Sequence, residues 1–172
     1  MKALITYFSE TGNTKKVGQA ICEEISQTGE ADLKPLEDVE NQSIKDYDLL
    51  VIGAPTHSGG LPGPVIRFLG KLDDSPGFKM AAFVTHMSTV YQKENFEKGI
   101  ATFQQVASDK GITFLGTFDC QGKLADAMQP MVQEALNISD DIWQPIMDET
   151  NKHPDANDLA KAKVFAREIL AQ

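Results

Sequence analysis

The sequence contains few of the residues from which disulfide frameworks and metal centres are built. Among its 172 residues there are only two cysteines, Cys22 and Cys120, and no closely spaced Cys or Cys/His pairs. Two isolated cysteines exclude a disulfide framework and give no zinc-ligand pattern. Apolar runs of the roughly 20 residues that span a bilayer are also absent. We therefore expect one domain over residues 1–172, with no metal and no membrane partner.

Positive charge is scarce as well. Against 25 Asp and Glu there are 16 Lys and Arg, which gives a net charge of −9 in an 18.8 kDa chain. Such a surface repels nucleic-acid phosphates, so no nucleic-acid partner is expected. Protein partners would meet it through basic patches. The N-terminal Met1-Lys2-Ala3 has no signal-peptide pattern, and this predicts a cytoplasmic protein.

Three common nucleotide and phosphate signatures are missing. The chain has no GxGxxG, and Gly12 is followed by Asn13 and Thr14 where a P-loop needs Lys and Ser/Thr. A phospho-receiver domain needs an aspartate at the end of the third strand, where Gly53-Ala54-Pro55 stands. These absences argue against an NTPase and a receiver domain.

Apolar runs alternate with segments of helical spacing along the whole chain. This alternation predicts an α/β protein with a parallel sheet and helices on both faces. The five predicted strands are Ala3–Phe8, Ala31–Leu36, Asp48–Ala54, Met80–Thr85 and Ile112–Phe118. A short helix is expected over Asp126–Leu136, Trp143 is expected in an irregular acidic stretch, and Pro154 is expected to open the last helix.

The first strand runs into a polar loop and then into a helix. The loop comprises Ser9, Glu10, Thr11, Gly12, Asn13 and Thr14. Backbone N–H groups at a helix start, with hydroxyl and amide donors beside them, form an anion site that suits a phosphate. The alternative is that these residues only cap the helix.

Two further loops, residues 55–63 and 85–91, leave the carboxyl ends of other strands. Between them they are rich in Gly, Ser, Thr and His. Ligands of open α/β sheets bind at this edge, so the three loops together form the expected site.

These loops resemble those of the flavodoxin family. Ser9-x-Thr11-Gly12-Asn13-Thr14 after a first strand is similar to the family's FMN phosphate loop. Pro55-Thr56-x-x-Gly59, followed by Pro62 and Phe68-Leu69, resembles its second flavin loop. Gly116-x-Phe118-x-Cys120-x-Gly122-Lys123 and His153-Pro154-Asp155 also look like this family. The resemblance implies a flavodoxin-like doubly wound five-stranded sheet of order 2-1-3-4-5, with FMN at the switch point.

The family's cofactor residues carry over to the matching positions of this sequence. The first loop would hold the FMN phosphate, and the other two would flank the isoalloxazine ring. The residues beside the ring are Pro55, Thr56, His57, Ser58, Gly59, Gly60, Thr85, His86, Met87, Ser88 and Tyr91. Either Gly59 or Gly60 could turn a carbonyl toward flavin N5, and Tyr91 could stack on the ring or pack beside a helix.

The resemblance implies a low-potential electron carrier that moves electrons on non-covalently bound FMN between redox enzymes. A phosphate site without Arg, in a protein of charge −9, disfavours negative charge on the reduced ring. The alternative is an FMN-dependent NAD(P)H:quinone or metal-ion oxidoreductase of the same fold. A monomer is favoured, and residues 121–153 would be a cover, a partner surface or plain packing.

Overall fold

The computed structural model describes residues 1–57, 60–87 and 93–172. Five strands and six α-helices lie in this part of the chain, and short 3₁₀ turns rather than an α-helix join the second strand to the third. The strands are β1 (Lys2–Tyr7), β2 (Glu30–Pro35), β3 (Leu49–Pro55), β4 (Lys79–His86) and β5 (Phe114–Gln121). The helices are α1 (Asn13–Ile25), α2 (Gly63–Gly70), α3 (Lys93–Asp109), α4 (Gln129–Leu136), α5 (Asp140–Thr150) and α6 (Ala156–Leu170).

All five strands lie parallel in one sheet of order β2-β1-β3-β4-β5. One apolar layer places α1 and α6 on the first face of the sheet, and a second layer places α2 and α3 on the other. The predicted fold class, strand order and helices on both faces are therefore confirmed. Among the described residues, no helix is long and apolar enough to cross a membrane.

One aromatic ring sets the distance between α1 and the sheet. Phe83 of β4 is fully buried and pairs in register with Gly53 of β3. A Cβ atom on Gly53 would lie 2.1 Å from Phe83 Cζ, so the ring occupies the place of that missing side chain. A Cβ atom on Gly18 of α1 would lie 3.2 Å from the same atom. The ring thus fills a gap between two positions that carry no side chain.

The prediction that Trp143 lies in an irregular stretch is wrong. Trp143 belongs to α5, whose buried residues Trp143, Met147 and Thr150 have helical spacing. Pro145 lies inside this helix. Because proline removes a backbone donor from a helix interior, its presence argued against a helix in this stretch of the sequence.

The last helix begins two residues later than predicted, because Asp155 rather than Pro154 forms its start. Asp155 accepts hydrogen bonds from the N–H groups of Asn157 and Asp158, and Asp158 reaches back to the N–H of Asp155. This capping box satisfies the first donors of α6. Asp158 also binds His153 Nδ1 at 2.5 Å, which raises the pKa of His153. The helix start therefore accounts for the clustering of His153, Asp155 and Asp158.

The contact between Phe83 and Gly53 yields a stability prediction. Gly53→Ala places a methyl group inside the Phe83 ring position, so we expect a loss of about 3 kcal/mol in the free energy of unfolding. The measurement is urea denaturation followed by circular dichroism.

Gly70→Ala serves as the control, because a Cβ atom there meets nothing within 4 Å. We expect it to leave stability unchanged or to raise it by up to about 1 kcal/mol. Equal denaturation midpoints for the two variants would contradict the role given to the ring.

Candidate functional site: an anion cradle at the carboxyl edge of the sheet

The cradle begins where β1 turns into α1. Gly12 precedes the helix with φ of +85°, a conformation that suits glycine. Since glycine has no side chain, it cannot cap the first N–H groups of α1. The first N–H groups of a helix have no partner within it and are available to the loop or to a ligand. Ser9 Oγ, three residues before Gly12, accepts a 3.3 Å hydrogen bond from the N–H of Lys15. The loop therefore combines backbone donors, a helix N-terminus and the Ser9 hydroxyl, as an anion site does.

Two side chains of the same loop face inward and brace it. Asn13 Nδ2 donates to the carbonyl oxygen of Lys123 at 3.0 Å, beyond the end of β5. The Thr14 and Thr85 hydroxyls lie 2.8 Å apart, and Thr14 is only 1 % exposed. Because these groups already have partners, Asn13 and Thr14 offer an anion chiefly their backbone N–H groups, while Thr11 is exposed.

The second loop is tied to the first and to β4. The N–H of Thr56 donates to the carbonyl oxygen of Thr85 at 2.9 Å. His57 and Gly60 exchange backbone hydrogen bonds of 3.0 and 2.9 Å, and Gly60 has a φ of +128°. His57 Nε2 lies 2.8 Å from the Glu10 carboxylate, and both side chains are exposed. These contacts hold the two loops side by side.

A fourth segment, after β5, completes the edge. The N–H of Gly122 donates to the carbonyl oxygen of His86 at 2.9 Å. A Cβ atom on Gly122 would lie 3.2 Å from Asn13 Cβ and 3.3 Å from Thr85 Cβ. Glycine is therefore needed for this segment to approach both the first loop and β4.

His86 is a buried titratable side chain of the edge. It is 7 % exposed, stacks on Phe96 with ring centroids 4.3 Å apart, and places Nε2 3.1 Å from Asp119 Oδ2. Within the described residues its Nδ1 atom is buried without a hydrogen-bond partner. A buried polar atom left unpaired is uncommon in native proteins and points to a missing ligand or water. The donors of the cradle and this atom together fit a phosphate-bearing group with a polar ring.

The structure places the described site residues at one edge of the sheet. Those that it brings together there are Ser9, Glu10, Thr11, Gly12, Asn13, Thr14, Pro55, Thr56, His57, Gly60, Thr85, His86 and Met87. The predicted site residues Ser58, Gly59, Ser88 and Tyr91 lie outside the described residues.

Three residues of this edge were absent from the predicted site. They are Asp119, Gly122 and Lys123. The Gly122-Lys123 pair, which follows the fifth strand, was the feature of the sequence that could have indicated this part of the site. Cys120 of β5 is buried, and burial raises the pKa of its thiol, so the group stays protonated and unreactive near neutral pH.

A doubly wound parallel sheet with an anion cradle at the β1/β3 switch point is the architecture of mononucleotide-binding α/β proteins. Comparisons with known proteins narrow this class. The family described as "Flavodoxin domain" matches residues 4–167. The chain therefore belongs to the flavodoxin family.

Individual relatives are distant. The flavodoxin-like domain-containing protein BilS of Clostridioides difficile is 29% identical over 179 residues, covering 99% of this chain and 97% of BilS. Oxidised flavodoxin 2 from Bacillus cereus superposes with a TM-score of 0.70 at 22% identity, covering 99% of each chain. Oxidised flavodoxin 1 from the same organism gives 0.69 at 18% identity, covering 100% of this chain and 99% of that one. At this identity the two crystal structures establish a shared fold.

The hydroxyl pair that braces the cradle can be tested by a double-mutant cycle. Thr85→Val or Thr14→Val alone leaves the other buried hydroxyl without its partner, so each should cost about 1–2 kcal/mol of stability. The double variant removes both hydroxyls and should cost less than the sum. Urea denaturation of the flavin-free protein measures all three, and strictly additive costs would contradict the brace.

Proposed function

We propose that this protein is an electron carrier that binds FMN non-covalently at the cradle and exchanges electrons with larger redox proteins. The observation that carries the proposal is the cradle itself: a helix N-terminus with free backbone donors at the switch point of a flavodoxin sheet. FMN supplies electron transfer in steps of one or two electrons, which a carrier between unlike redox centres needs.

In this proposal the chain's own residues divide into two groups. The N–H groups of residues 11–14, with the Ser9 and Thr11 hydroxyls, would bind the phosphate. The loop ending at Gly60 and the end of β4 at His86 would border the ring. The buried His86 Nδ1 atom would gain a hydrogen-bond partner when the site is filled.

The motifs and charges of the sequence support an electron carrier rather than an NAD(P)H-dependent reductase. The sequence has no nicotinamide-binding motif, and no Arg occurs in the three loops to pair with a second phosphate group. A net charge of −9 suits partners that carry basic docking patches. We further propose that the protein works in the cytoplasm, where such redox enzymes would meet it.

The visible spectrum of the FMN-loaded protein, followed anaerobically, tests this function. We expect the oxidised flavin band to persist with NADPH and to bleach in steps when dithionite is added. Rapid bleaching by NADPH alone would make the protein a reductase. A protein that never acquires a flavin band would overturn the proposal.

The cradle is tested by removing its two available hydroxyls. Ser9→Ala combined with Thr11→Ala should weaken FMN binding by about 2–4 kcal/mol, because two hydrogen bonds to a charged phosphate are lost. The affinity is measured by titrating apoprotein into FMN and following the quenching of flavin fluorescence.

Ser26→Ala combined with Thr28→Ala is the matched control. It removes the same two hydroxyl types at the opposite end of α1, where both residues are exposed, and should leave the affinity unchanged. If the two double variants bind FMN equally, the phosphate does not lie at this loop.

A further inference from the structure

The segment between β5 and α6 leaves apolar side chains uncovered. Met131 is 61 % exposed, Met128 is 41 % exposed and Ile142 is 46 % exposed. Elsewhere in the described residues, the exposed large apolar side chains are single and scattered at Met1, Ile66 and Val164. Three such residues within 15 positions mark a candidate interaction surface.

Helix α4 is held in place by polar contacts on its other side. Gln133 Nε2 donates to the carbonyl oxygen of Ile138 at 3.2 Å and to Asp140 Oδ1 at 2.6 Å, which ties α4 to the start of α5. No residue of α4 is buried. Met131 lies two positions before Gln133, so it projects on the opposite face of the helix, and Met128 lies one turn before Met131. The methionines therefore face away from the contact that holds the helix.

The charge around these methionines has one sign. From Leu124 to Asn151 the chain has no Lys or Arg and six acidic residues, which are Asp126, Glu134, Asp140, Asp141, Asp148 and Glu149. Lys123 pairs with Asp126 and Lys152 with Glu149. The other four carboxylates have no basic partner among the described residues. A second copy of the chain would bring the same negative charge, so electrostatics opposes self-pairing and favours a basic partner.

The segment starts directly beside the cradle. The Lys123 carbonyl oxygen accepts the hydrogen bond from Asn13 Nδ2, and Met128 lies only five positions after Lys123. Five residues reach at most about 18 Å, so a protein seated on the methionines also lies near the cradle.

We propose that Met128, Met131 and Glu134, which share one side of α4, form a docking surface for a basic redox protein that exposes an apolar patch ringed by lysines, and that Asp140 and Asp141 at the start of α5 add longer-range attraction. We name Met128, Met131 and Glu134 the methionine surface. The flexible, polarisable methionine side chains adapt to an apolar patch, and the carboxylates set orientation and association rate. The inference rests on the proposed electron-carrier function, and it adds the place and chemistry of partner contact.

A basic c-type cytochrome in its ferrous form is the probe. The ¹⁵N-labelled protein, both flavin-free and FMN-loaded, is titrated with it at low salt and followed by NMR. We expect chemical-shift changes concentrated in residues 126–148 and in the adjoining cradle. Changes centred on another face would overturn the proposal.

Two pairs of variants separate apolar from charged contributions. Met128→Gln with Met131→Gln should raise the Kd about fivefold, since polar side chains of similar length and helix propensity replace the apolar contact. Its control is Ile66→Gln with Val164→Gln, which changes equally exposed apolar residues elsewhere and should leave the Kd unchanged. Equal Kd values for the two pairs would overturn the methionine contact.

Asp140→Asn with Asp141→Asn should weaken binding and flatten its dependence on salt concentration. Asp73→Asn with Asp74→Asn is the control, because these exposed acids precede β4 at the opposite edge of the sheet. An equal effect of both pairs would show attraction by total charge alone and would overturn a specific surface.

The readouts separate this proposal from the proposed function. Cytochrome docking at the methionine surface by a protein that binds no FMN would leave the surface standing and the carrier function refuted. Electron transfer from FMN to a cytochrome that docks elsewhere would support the carrier function and refute the methionine surface. A mass of twice 18.8 kDa, with self-association shifts at the methionines, would assign the surface to a second copy and overturn the proposal.

Discussion

The structure depends on how the Phe83 ring fits between strand β3 and helix α1. The ring lies where a side chain of Gly53 would be and reaches the bare backbone of Gly18. Packing this close leaves no room for a methyl group at position 53, and at position 18 an added Cβ would lie in tighter than ordinary contact with the same ring. Since Phe83 is on β4, Gly53 on β3 and Gly18 on α1, the contact fixes the helix against two neighbouring strands at once.

The placement of α1 determines the placement of its N-terminus, and with it the cradle. From there Asn13 reaches to Lys123, just beyond the end of β5, and Thr14 reaches to Thr85 of β4. These polar braces join residues of the protein to one another. They hold the loop in one orientation, and a loop braced in this way would lose less conformational entropy on binding a ligand.

The sequence was sufficient for the fold because strand and helix periodicities alternate along most of the chain, and a parallel sheet follows from that alternation. It also indicated the loops of the candidate site, because loops rich in Gly, Ser, Thr and His follow three of the apolar runs. The match of Phe83 to Gly53 and Gly18 could not be predicted, since it joins three positions far apart in the chain. The same holds for the Thr14–Thr85 pair. Helix α5 was missed for a local reason, because Pro145 interrupts its helical pattern.

The acidic residues near the cradle affect which electron donors and acceptors could approach it. Charges act mainly within a Debye length of about 8 Å at physiological salt, so the acidic residues nearest the cradle matter more than the total. The segment from Leu124 to Asn151, which starts beside the cradle, carries six carboxylates and no base. Nicotinamide dinucleotides are anions and would be repelled there, whereas a basic protein would be attracted. The same residues that would slow a soluble hydride donor would thus speed the approach of a protein that takes electrons.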